Sequence, residues 1–306
     1  MPEEAELNIN GRYLDSRYKA KKGQMGYLIP VRLVAENMGA LVNWLPERGA
    51  LVLTYKGTEC EFNVGSTLVQ VNGKRQNLTE LVRAYNGHAF APVDFVAQAI
   101  GASVYYSEDT ATLFLVRQEP AFIGKKILLD PGHGGEDWGA TNNDVKGKDL
   151  SLDIVNRVAQ ILNRAGLSLY FTRQDDTSIN EKERAQIIRN LRADLLVSVH
   201  INSSVQSMLA GVEAYFYASW QGQRLAGELI SEVVTETKAV NRGVKEGAFY
   251  LLRHSFSPAA LISCGFLTNL GEFTKLNSSK YREKIAVGLY RGIRAYLETQ
   301  FLSKSH

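Results

Sequence analysis

The stretch ILLDPGHGG, Ile127 to Gly135, decides how the rest of the chain is read. Its apolar start is a short strand, and its Pro-Gly-His-Gly-Gly run is a tight turn at the strand's end. One histidine, His133, stands in that turn. A second, His200, closes another apolar strand, DLLVSVHIN. Between them lie a helical pattern in LSLDIVNRVAQILNRAG, a strand in LSLYFTR, and a helix in NEKERAQIIRNLRA with Asn180 as its N-cap. After His200 come a strand in VEAYFY, a helix in GQRLAGELISEVVTETK, a strand in AALISCGFL and a closing helix in REKIAVGLYRGIRAYLETQF. Strands that alternate with helices predict an α/β layer with a mostly parallel sheet. In such sheets function sits beyond the C-terminal ends of the strands, which is where both histidines fall.

The first third is organised differently. YLIPVRLVAENMGALV (Tyr27 to Val42) recurs as AFAPVDFVAQAIGASV (Ala89 to Val104). Each copy reads as strand, proline, one amphipathic helix, a glycine stop and a further strand. Val31, Val34, Ala35 and Met38 share one helical face, and Gly39 and Gly101 stand where a left-handed C-cap is wanted. Short alternating strands with turn signals such as Asn72-Gly73 lie between the copies. This repeat resembles the copper amine oxidase N-terminal-like domain, whose expected role is that of a small binding or spacer module over residues 1–118. No copper ligand set accompanies it, since His88 is the only histidine before His133. RQEPAFIGK then reads as a linker broken by Pro120, and the second domain is expected over 125–302.

Composition excludes several classes. The chain of 306 residues is 45% hydrophobic and carries a formal net charge of only +3, so no nucleic-acid partner is expected. No apolar run is long enough for a membrane span. The opening MPEEAELNING is polar and acidic, unlike a signal peptide. Cys60 and Cys264 lie far apart without metal spacing and are expected to be buried, unbridged small residues.

Six stretches carry the chemistry: LLDPGHGGEDWGA, LYFTRQDD, ERAQIIRNLRADLLVSVHINSS, GVEAYFY, NRGVKEGAFYLLR and PAALISCGFLTN. In this order they resemble the zinc-dependent N-acetylmuramoyl-L-alanine amidases, over about residues 125–297. The resemblance implies a Rossmann-like mostly parallel sheet with helices on both faces, preceded by a small α+β repeat domain. It also implies a place in the cell envelope or outside the cell, peptidoglycan as substrate, and hydrolysis of the muramoyl-L-alanine amide by a zinc-bound water with a glutamate shuttling the proton.

Carried over position by position, His133 and His200 match the two histidine ligands. The third ligand, a glutamate before a lysine at the start of the first long helix, falls on Gly147, with Lys148 following. The catalytic glutamate of the family falls on Ser263. Cys264 is no replacement, because strand alternation turns it to the opposite face. Arg242 matches a basic family position and is the candidate clamp for a stem-peptide carboxylate, its alternative being a solvated loop charge. Asn202 joins it as a candidate substrate-binding residue, with a loop role in satisfying backbone groups as the alternative. Asp144 or Glu136 in place of the missing ligand, and His254 reaching the cleft, stay open. The expectation is therefore a degenerate amidase that binds peptidoglycan stem peptides or a cell-wall protein partner, with zinc binding in doubt. The alternatives are an active zinc amidase with rearranged acids and a structural scaffold.

Overall fold

The computed structural model describes residues 1–304, with side chains as far as Phe301. The chain divides into two compact units, Met1–Gln118 and Glu119–His306.

In the first unit both repeat copies take the expected form. Pro30 and Pro92 precede the helices Val31–Asn37 and Val93–Ala99, which bury Val31, Val34, Ala35 and their counterparts Val93, Val96, Ala97. Gly39 (φ 78) and Gly101 (φ 65) then turn the chain through left-handed backbone. The strands leading into the two helices pair antiparallel, Ile29 opposite Ala91. The strands leaving them part company. Leu41–Leu45 starts a five-stranded meander, whereas Ala102–Ser107 edges the larger eight-stranded sheet. Equivalent sequence therefore serves two sheets, because the partners on offer differ.

In the second unit a six-stranded sheet has the order 168–171, 126–131, 195–202, 259–266, 212–216, 241–246. The first four strands are parallel. Val212–Phe216 runs antiparallel to Ala259–Phe266 and carries Asn241–Glu246 parallel to itself, so the sheet reverses direction for its last two strands. The long helices Gly147–Arg164 and Trp220–Thr237 pack on the sheet, and Ser279–Lys304 packs across both of them. The other face buries Leu128, Leu196 and Leu261 against Ile188 and Ala193, at the C-terminal end of helix Glu181–Leu191, and against Leu251 and Leu252 of the short helix Tyr250–Arg253. The N-cap reading of Asn180 is met in full: Asn180 Oδ1 accepts from the backbone of Lys182 and Glu183, and the Glu183 carboxylate accepts from the Asn180 backbone N–H.

The linker reading needs correction. Pro120–Phe122 forms a short 3-10 turn, Phe122 is fully buried, and the Glu119 carboxylate pairs with Arg294 at 3.2 Å. A bulky ring followed the proline, and burying it docks the segment onto its own unit. Cys60 and Cys264 are free and buried, and burial pushes their thiols up to about 11 and about 12 respectively. Among the described residues no helix is long and apolar enough to cross a membrane.

Candidate functional site

Register explains how the site arises. On the face that Leu128, Leu196 and Ala259 make apolar, the next residues toward the strand ends are Asp130, Ser198 and Leu261, and beyond them His200 and Ser263 stand opposite each other. Glu213 is level with Ser263 on the next strand. Period-two alternation thus turns an apolar face polar just where the parallel strands end.

His133 and His200 meet with ring centroids 5.0 Å apart and planes at 75°. With Asp130, Asp137, Glu181 and Arg184 they line a cavity of about 370 Å³. His133 Nδ1 lies 2.8 Å from Asp137 Oδ2, and His200 Nε2 lies 3.1 Å from Ser198 Oγ, which donates to Asp130. Burial pushes His200 down to about 4, the nearby Asp130 carboxylate only partly opposing it. Asp130 is itself fully buried. Desolvation would raise it, but the Arg184 guanidinium, His200 and the Ser198 and Thr172 hydroxyls hold it below the usual carboxylate range.

The turn bearing His133 is held by cations gripping its carbonyls. His133 has φ 61, a conformation uncommon outside glycine. Arg184 donates to the carbonyls of Pro131 and His133, Arg173 to those of Pro131 and Gly132, and Lys148 to that of Gly135. Two glycines seat the rings. A Cβ on Gly132 would lie 2.5 Å from His200, and one on Gly139 would lie 2.5 Å from His133. Neither Asp130, Ser198, Arg173 nor Arg184 stood out in the sequence. Asp130 sits two residues before a conspicuous turn glycine and reads as part of it, and the arginines read as ordinary charged positions.

The sequence-predicted acid positions look different. Gly147 is buried at the start of its helix, its N–H donating to Ala140 O at 2.7 Å. A Cβ there would meet the Ala140 backbone at 3.1 and 3.2 Å. Ser263 is 1% exposed, and its hydroxyl has no hydrogen-bond partner among the described residues. Asp144 and Glu136 are exposed and outside the cavity lining. His254, half-buried, is also outside it, its Nδ1 facing Tyr250 O at 2.8 Å while its ring stacks on Tyr250.

Whether these residues fit zinc can be tested on their geometry. Two imidazoles sharing one tetrahedral ion hold their ring centres about 5 Å apart, so the His133–His200 pair fits. The remaining donor set does not: Gly147 has no side chain, Ser263 offers an enclosed hydroxyl, and among the described residues no group of three His, Cys, Asp or Glu comes together to hold a metal.

Arg242 and Asn202 converge on a second polar cluster. Asn202 ends a strand instead of lying in a loop, and its Nδ2 donates to Glu213 Oε1 at 2.6 Å, a side chain where a backbone group was expected. Arg242 lies on strand Asn241–Glu246, not on a solvated loop, and its Nε donates to Glu213 Oε2 at 3.2 Å. Lys245 Nζ and the Tyr215 hydroxyl complete the shell at 2.5 and 2.8 Å. Burial would raise Glu213, but the hydrogen bonds from Lys245 and Tyr215 outweigh it and keep the carboxylate ionised. This carboxylate neighbours Ser263 in the sheet, yet four donors make it a poor proton acceptor.

Comparison with known proteins finds relatives for both units of the chain. Residues 8–115 match the copper amine oxidase N-terminal domain. The Bacillus subtilis protein YqiI is 37% identical over 178 residues, 57% of this chain and 86% of its own length. The N-acetylmuramoyl-L-alanine amidase LytC of the same organism is 33% identical over 57% of this chain, but that stretch is only 36% of LytC. The CwlD amidase from Clostridioides difficile, solved in complex with the GerS lipoprotein, superposes with a TM-score of 0.56 and 33% identity over 57% of this chain and 100% of that one. Residues 127–295, more than half of the chain, match the family model described as N-acetylmuramoyl-L-alanine amidase, and the chain belongs to that family.

Proposed function

We propose that this chain is a cell-envelope protein that keeps the amidase fold to bind peptidoglycan and does not hydrolyse it efficiently. One observation carries the reading: both positions where the family places a carboxylate lack one, and the acids nearest the histidines already have partners of their own. Asp130 is held by Arg184, and Asp137 faces His133. Without a ligand at Gly147, zinc is held weakly by His133 and His200, since such sites use three or four protein ligands. Without a carboxylate at Ser263, the proton relay that contributes roughly a hundred to ten thousandfold in rate is missing. Arg242 and Lys245 carry one more charge than Glu213 neutralises and are partly exposed, which suits the carboxylate of a stem peptide. A protein partner is the alternative occupant. CwlD was solved with a lipoprotein.

A second reading, an active amidase with rearranged acids, rests on Glu181. It is exposed in the first turn of its helix and lines the same cavity as the two histidines. Zinc content and release of stem peptides from purified peptidoglycan separate the readings. The proposal expects well below one zinc per chain and no release. Stoichiometric zinc with hydrolysis that disappears in both His133→Ala and Glu181→Gln would establish the second reading. Gly147→Glu with Ser263→Glu should gain zinc and some hydrolysis, while either change alone should stay nearly silent. The Ala140 backbone must yield by a few tenths of an ångström for the first of these changes.

A further inference from the structure

The N-terminal unit contains a groove of about 470 Å³ that the reading above leaves unused. Helix Val31–Asn37, the turn joining strands Leu41–Leu45 and Ala50–Tyr55, and the turn joining Arg83–Tyr85 to His88–Pro92 each contribute to it. Its volume falls within the range of small-ligand sites. The lining includes Arg32, Arg48, His88 and Trp44, and no carboxylate. Trp44 is 45% exposed, which leaves part of its indole open where it lines the groove.

The two guanidiniums are held but not used up. Arg32 Nη1 donates to Val42 O at 2.8 Å and reaches Glu36 at 3.3 Å. Arg48 Nη1 lies 3.5 Å from Glu61, and its side chain is 62% exposed. Each guanidinium has five N–H donors, so most remain for a ligand. Neither Glu36 nor Glu61 lines the groove. A broad apolar face beside forked cationic donors suits a ligand with one flat C–H surface and one planar anion. The indole takes the first, and an arginine takes the second bidentately. A neutral sugar would waste the arginines, and a bare carboxylate would waste the tryptophan.

We propose that this groove binds an anionic saccharide, a pyranose ring bearing a carboxylate. Three probes divide that chemistry: N-acetylmuramic acid, the neutral N-acetylglucosamine that lacks its lactyl group, and lactate alone. Titration calorimetry on the full chain should show N-acetylmuramic acid binding at least tenfold more tightly than either of the others. In a 15N spectrum the Trp44 indole signal should move with it. Trp44→Ala and Arg48→Gln should each weaken binding at least tenfold. Both side chains are exposed, so neither change threatens the core. The double variant His133→Ala/His200→Ala should bind as wild type does, which keeps this site separate from the amidase unit whatever that unit proves to do. No binding, equal binding of lactate or of N-acetylglucosamine, or undiminished binding by Trp44→Ala would overturn the proposal.

Discussion

Around His133 and His200 the supporting contacts are in place, whereas Gly147 and Ser263, where the family resemblance expects carboxylates, are buried without one. The histidine half depends on groups that also hold the fold. Arg184 grips Asp130 and two turn carbonyls, and Gly132 and Gly139 give the rings their seats. Losing any of these would leave a buried charge unpaired or push a histidine ring from its seat. The acid half depends on two side chains that nothing else leans on. A glycine at Gly147 still starts its helix, and a serine at Ser263 still fills its place in the strand. Chemistry can therefore be lost from this scaffold at little structural cost in one half and at great cost in the other.

The largest test of that contrast removes Arg184. Arg184→Ala leaves Asp130 ionised, buried and without its main partner, and breaking such a pair costs about 3–5 kcal/mol. The urea midpoint should drop accordingly, and a change within experimental scatter would mean the turn is held by something else. Acid comes next in size. His200 folded titrates at about 4 against an ordinary 6.5, so the unfolded chain takes up its proton first as pH falls. The stability contributed by the neutral ring is complete above about 6.5 and gone below about 4, a change of a few kcal/mol at about 1.4 per pKa unit. Glu213 and Asp130, both held low, extend the loss to lower pH. Urea midpoints that stay flat between pH 7 and pH 4 would contradict a His200 that the fold holds neutral.

Gly132→Ala probes the ring seat directly. The added Cβ would sit 2.5 Å from His200, and overpacking of this kind costs about 1–3 kcal/mol. Gly147→Ala should cost less, because its nearest neighbours are at 3.1 and 3.2 Å and alanine favours the helix it begins. Equal losses at the two glycines would erase the distinction between the halves. The smallest effect is expected at Ser263. Its hydroxyl is buried with no partner among the described residues, so Ser263→Ala should be neutral or stabilise by about 1 kcal/mol in thermal unfolding. A clear destabilisation would place a partner on that hydroxyl and reopen the acid half.

The sequence by itself determined the alternation of strands and helices, the cap at Asn180, the doubled module of the first third, the strand-end places of His133 and His200, and the absence of carboxylates at Gly147 and Ser263. These are local matters: periodicity, turn chemistry and residue identity are written along the chain. The direction of the last two strands, the burial of Phe122, the parting of the two repeat copies into different sheets, and the capture of Arg242 and Asn202 by Glu213 were decided only by the tertiary structure. So was the work of Asp130, Ser198, Arg173 and Arg184. A charged residue's role depends on which distant group faces it once water is excluded, and strand register, which brings Asp130 beside Ser198 and His200 beside Ser263, is fixed by long-range pairing that no local pattern records.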